Sequence, residues 1–341
     1  MGNKAIKLER LIEYGSKDAV IQNLKDAGCA QDIIECCVAC MEQGKKKELL
    51  KRLEEHRKGL LHKVHEEERH IDCLDYLVYQ IGRCESAFKE GQNITTEHCF
   101  FNLRYPFWHD HGLKITDSEM TEKCRAALWY SEHIEITDSR LHGIKALREC
   151  SDVLIRDCDI ISPEFGWSVR GIHMEDTTAV SEYFMMRSEN LTFRNVTFKG
   201  KYSFQYIKNS TFGNCVFDTK DAFWHGENIT VKDSVVKGEY LAWYSNGLTL
   251  VNCKIIGTQP LCYCKNLKLI NCEMIDTDLA FEKSEVEANV TTKVDSIKNP
   301  LSGQIQVPEL GELIMDDPDA KGQVLVIGLK EKDGSRICNC A

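Results

Sequence analysis

A nineteen-residue spacing of apolar side chains restricts the fold of this chain more than any other feature. Ile94, Leu113, Ile134, Val153, Ile172, Leu191, Ser210, Ile229, Leu248, Leu267 and Val286 follow one another at that interval, with a single step of twenty-one from Leu113 to Ile134. A second column two positions later runs from Thr96 through Ile155 and Phe212 to Ala288. A third, seven positions after the first, runs from Phe101 through Phe198 and fades at Lys293. Apolar residues two apart are the mark of a strand facing inward at both sites. Four positions after the first column stand Asp117, Asp138, Asp157, Asp176, Asn195, Asn214, Asp233, Asn252 and Asn271. Asn and Asp tolerate bent backbone and bond to nearby main chain, so this series suits a corner between strands. A repeat so short cannot bury its apolar face alone, whereas coils stacked about 4.8 Å apart turn each column into a continuous internal ladder. The pattern predicts a mainly β protein: a right-handed parallel β-helix of about eleven 19-residue coils over residues 84–294.

Residues 1–83 read differently. Leu49, Leu50, Leu53, Leu60, Leu61 and Val64 sit at helical spacing in a charged stretch from Lys45 to Gln80, preceded by shorter amphipathic segments punctuated by glycines. An α-helical module that caps the first coil is the expectation for 1–83, and a capping segment and tail for 295–341, because bare strand edges would otherwise invite pairing with other chains. Basic and acidic side chains balance in 1–83, so the net charge of −10 arises from the remainder. An acidic solenoid lacks the basic stripe that nucleic acid requires. No apolar run is long enough to cross a bilayer, and the charged start lacks a signal-peptide core, so a soluble, cytoplasmic protein is expected. Seventeen cysteines then belong to a reducing compartment. Cys99, Cys158, Cys215, Cys253 and Cys272 share one register with Ser118, Ser139 and Ser234, as small residues filling a tight internal corner would.

The stretches KDAFWHGENITVKDS from Lys220, GEYLAWYSNGLTLVNC from Gly238 and LCYCKNLKLINC from Leu261 resemble a bacterial family known as domain of unknown function 3737, itself similar to the pectin-lyase-like right-handed β-helices. The resemblance covers about Glu85 to Ile314 and implies the fold; no activity comes with it. The helical module lies outside it and takes the place of further coils that members of the family usually carry.

All five tryptophans, Trp108, Trp129, Trp167, Trp224 and Trp243, fall five positions before the first column. The neighbouring register is apolar, so alternation turns the indoles outward, beside Tyr202 and Tyr240 and a row of charges. Such a strip suits stacking on sugar rings of an oligo- or polysaccharide; the bland alternative places the indoles in the core or under another surface. Asp221 and Glu239 lie on adjacent coils one register apart, within reach of the ~5 Å separation of a retaining glycosidase. Lys201 or Lys220 would serve as a lyase base only with a depressed pKa. His109 and His225 follow Trp108 and Trp224 in one register. Whether the protein is an enzyme stays open; if it is, polysaccharide lyase or glycoside hydrolase chemistry is indicated. A non-catalytic scaffold that contacts a protein partner, or itself, through the helical module is the alternative. No cofactor is implied, since phosphate-binding glycine loops are absent. Cys29, Cys36, Cys37 and Cys40 leave a metal site open but lack a second pair at zinc spacing.

Overall fold

The computed structural model describes residues 17–81 and 88–327, which form a helical unit within residues 1–84 and a β unit within 85–341. In the helical unit α1 (Lys17–Asp26) and α2 (Gln31–Glu42) precede the long α3 (Lys46–Ile81). Gly28 and Gly44 close the first two helices in the left-handed conformation, at φ of 70° and 69°. Leu24, Cys29, Ile34 and Cys37 form a small core with Ile21, Leu49 and Leu53 against it. The part of the expected shorter segments that precedes residue 17 lies outside the described residues. Among the described residues no helix is long and apolar enough to cross a membrane.

The β unit is a parallel solenoid with the expected spacing. Ile229, Leu248 and Leu267 lie one above another: Ile229 pairs with Leu248 in register, and the next strand pair, which carries Leu248 and Leu267, aligns Thr249 with Lys268 and Leu250 with Leu269. One face carries the six-residue strands, such as Glu227–Lys232 and Asn246–Val251; a second carries the shorter set, such as Val235–Lys237 and Lys254–Ile256. A third wall has only two-residue strands, Phe107–Trp108 and Leu128–Trp129 among them. The solenoid runs to about thirteen turns rather than eleven. It does not stop at Val294: Ser302–Val307 pairs in parallel with Glu285–Val290, and Gln323–Val326 with Ser302–Val307.

The corners explain why the polar columns exist. Asp117, Asp138, Asp157, Asp176, Asn195, Asn214, Asp233, Asn252 and Asn271 all take a left-handed backbone, with φ between 44° and 56°. Their amides also bond from coil to coil, Asn214 Nδ2 donating to Asn195 Oδ1 at 2.6 Å and Asn271 Nδ2 to Asn252 Oδ1 at 3.0 Å. Behind them, in the same corner, Ser118, Cys158, Cys215, Ser234, Cys253 and Cys272 are buried. Ser234 Oγ shows what the position does: it accepts from the amide of Cys215 at 2.9 Å and donates to the carbonyl of Lys232 at 2.6 Å. Burial pushes the Cys215 thiol above its ordinary range and that of Cys158 up to about 11, as expected for core thiols that stay protonated.

Inside, phenylalanines collect in the middle coils. Phe204 lies 5.0–5.6 Å from the ring centroids of Phe184, Phe198, Phe212, Phe217 and Phe223, and 6.0 Å from Phe193. All seven are at most 1% exposed. Each contributes on the order of 2–3 kcal/mol by burial, with smaller increments from the ring pairs.

Candidate functional site

The tryptophans lie on the third wall, and its backbone decides where they point. In a typical coil three alternate residues there are left-handed: Asp221, Phe223 and His225 at φ of 56°, 60° and 56°, and Tyr240, Ala242 and Tyr244 at 57°, 60° and 62°. Outside glycine such conformations are uncommon, and a run of them makes a tight arch rather than a pleated strand. Simple alternation therefore fails at this wall. Trp108, Trp129 and Trp167 are buried, with Trp129 fully so and the others at 7% and 6% exposure. The expectation of an outward strip of five indoles is corrected: only Trp224 and Trp243 stay half-exposed.

These indoles tie the coils together. Trp167 Nε1 donates to the carbonyl of Tyr183 at 2.6 Å, Trp224 Nε1 to that of Tyr240 at 2.6 Å, and Trp243 Nε1 to that of Gln259 at 2.8 Å. Each acceptor is a left-handed residue one coil further on. Trp224 and Trp243 stack with ring centroids 5.4 Å apart and planes 3° from parallel. In the tryptophan register the buried Arg148 replaces an indole, its guanidinium 5.5 Å from the Trp129 ring and 5.0 Å from that of Trp167. A guanidinium between two indole faces continues the stack through a coil that has no aromatic residue to give.

Next to the indoles stands a second column that the sequence reading missed, apart from its histidines. Tyr206, His225, Tyr244 and Tyr263 stack face to face, with centroids 4.8, 5.1 and 4.9 Å apart. The same nineteen-residue count from His225 would have found it. His109 stacks on Tyr130 at 4.9 Å in the corresponding place further up the solenoid. Tyr202 stacks on Tyr183 at 5.1 Å, while Tyr240 meets Trp243 edge-on at 5.3 Å. In a column of stacked rings each face is taken by the next ring, and only the edges reach solvent.

The catalytic candidates are not gathered around a cleft. Asp221 is buried at the arch and Glu239 is exposed, joined through the Asp221 amide donating to the Glu239 carbonyl at 3.0 Å. The Glu239 carboxylate binds Lys220 Nζ at 2.9 Å, and Glu182 binds Lys201 Nζ at 3.0 Å. These pairings hold both ammonium groups above their ordinary value, the reverse of what a general base needs. His225 is clamped between two tyrosines. A groove of about 420 Å³ exists elsewhere, at the Asn and Asp corner, lined by Asp233, Asn252, Asn271, Lys254 and Glu273 and by none of the aromatic residues. In the helical unit Cys29, Cys37 and Cys40 are buried and Cys36 is half-buried. Burial raises the Cys29, Cys37 and Cys40 thiols. Among the described residues the cysteines of this unit do not form a set of three metal donors.

A family model described as protein of unknown function (DUF3737) aligns with residues 62–327, beginning inside α3 and ending in the last described coil. No curated protein and no solved structure matches the chain.

Proposed function

The chain belongs to the DUF3737 family, and from its geometry we propose a non-catalytic scaffold that self-associates through α3. The observation that carries this reading is a stripe of exposed apolar side chains on the second half of that helix: Leu60, Val64, Ile71, Leu74 and Leu77, exposed by 39%, 51%, 51%, 61% and 52%. Contiguous apolar surface of this kind marks an interaction site. The first half of α3 gives Leu49 and Leu53 to the core of the helical unit, and among the described residues that core takes no apolar side chain from the second half. Val64 and Ile71 are seven residues apart, and Leu60 and Leu74 are fourteen apart with Glu67 midway. That is the a/d spacing of a two-stranded coil, and a two-fold axis matches such a seam to its own copy. Glu67 in the seam weakens the pairing.

Sedimentation equilibrium of the full chain tests it. A concentration-dependent dimer is expected, and Ile71→Lys with Leu74→Lys should leave only monomer. A wild-type protein that stays monomeric at hundreds of micromolar sinks the proposal. The pairing of Lys201 and Lys220 and the burial of Asp221 support a role without chemistry.

A second reading rests on Trp224, Trp243 and Tyr240, whose partly open edges lie beside Lys220 and Glu239. Weak oligosaccharide binding here would be abolished by Trp224→Ala with Trp243→Ala. A glycan array on which wild type and double variant are equally blank ends it.

A further inference from the structure

We propose that His111, Glu132 and His133 form a binding site for one divalent transition ion of the zinc class on the outer surface of the solenoid. Each side chain offers a donor atom, and the three donors lie within 4.8 Å of one another. The two imidazole centroids are 4.6 Å apart.

The backbone assembles this set. His111 and Glu132 are direct partners on neighbouring parallel strands, so stacking alone brings them together. His133 follows Glu132 in sequence, and strand alternation would send it to the other face. Instead it is left-handed, at φ of 55°. In the equivalent place other coils use Asn93, Gly112, Asp152, Gly171, Asn190, Asn209, Asn228, Gly247 and Asn266, all at positive φ. Those are the residue types that bear this conformation most easily. His133 departs from the column's rule at the one coil that is two residues longer than its neighbours, the step from Leu113 to Ile134.

A fourth residue orients the site. Asp152, one coil further on, contacts His133 Nδ1 through Oδ2 at 2.5 Å. A carboxylate on Nδ1 fixes the tautomer and leaves the Nε2 lone pair for a metal, the outer arrangement found around metal-binding histidines. His98 makes the same contact with Asp117 at 2.6 Å, but it is not part of a three-donor group among the described residues. Two nitrogens and one carboxylate suit Zn²⁺, Ni²⁺ or Cu²⁺ and disfavour Mg²⁺ and Ca²⁺, which take oxygen. Ligand bonds of ~2.0–2.2 Å require the donors to draw together slightly, which exposed side chains do by torsion. The remaining coordination position opens to solvent.

Zinc titration of the full chain against a chromophoric chelator tests the site, with Co²⁺ as spectroscopic probe. Wild type should hold one more Zn²⁺ per chain than His111→Ala or His133→Ala, with circular dichroism unchanged. Asp152→Asn should keep the stoichiometry and weaken binding about 10- to 100-fold. Cobalt at this site should show ligand-field bands lost in His133→Ala and without a thiolate charge-transfer band. Equal zinc content in wild type and both histidine variants overturns the proposal. So does competition by equimolar Mg²⁺ or Ca²⁺, or a cobalt signal carried wholly by sulfur.

Discussion

Phe204→Ala is expected to destabilise the β unit by about 3–5 kcal/mol, the range for removing a phenyl ring from a packed core. The ring has six phenylalanine neighbours on three successive coils, so no single neighbour can collapse into the space. A solenoid is a chain of nearest-neighbour interfaces, and its unfolding need not be two-state. Hydrogen exchange is therefore the better measurement beside a denaturation curve. Amides between about residues 184 and 223 should lose protection, while those of Glu285–Val290 and Ser302–Val307 keep it. A loss under about 1 kcal/mol, or an even loss along the whole rod, would contradict the packing described.

Gly200→Ala should be as damaging although it adds one carbon. A Cβ at Gly200 would lie 1.8 Å from the Ser181 carbonyl oxygen and 2.8 Å from Phe198 Cζ. The obstacle is the main chain of the preceding coil, which cannot turn aside as a side chain would, and which is held by the coil ladder on that face. A cost of about 3 kcal/mol or more is expected, at or beyond the upper end for overpacked cores. Gly213→Ala is the control: its Cβ would meet nothing within 4 Å and its φ is not positive. It should change stability by less than about 0.5 kcal/mol. Matched urea curves for the two variants decide the matter, and equal midpoints would show that the coils separate more easily than the structure says.

The repeat was legible in the sequence because every coil buries the same columns, so eleven weak signals at one interval add up. What escaped notice did so for physical reasons. The last coils were missed because the spacing changes where Glu285 pairs with Ser302, seventeen residues on, and prolines at 300 and 308 break the apolar pattern. The tryptophan register is legible but its direction is not: alternation holds for pleated strands, and two or three left-handed residues in each coil bend the backbone into an arch instead. Knowing that Tyr240 and Gln259 offer their carbonyls to indoles requires coordinates. The ring column of Tyr206, His225, Tyr244 and Tyr263 is open to the same counting, but its members are chemically mixed and offer no single residue type to follow. The His111, Glu132 and His133 group was beyond counting, since two of its members are adjacent in sequence and meet only because one of them is left-handed.

The in-register stacking of identical corners also sets a rule for length. Removing or duplicating nineteen residues between, for example, Asn214 and Asp233 would leave every column matched to its successor and slide all later groups along the axis by one strand spacing, about 4.8 Å. Distances between surface features on this molecule therefore come in whole steps, as on a ruler, set by the number of coils between them.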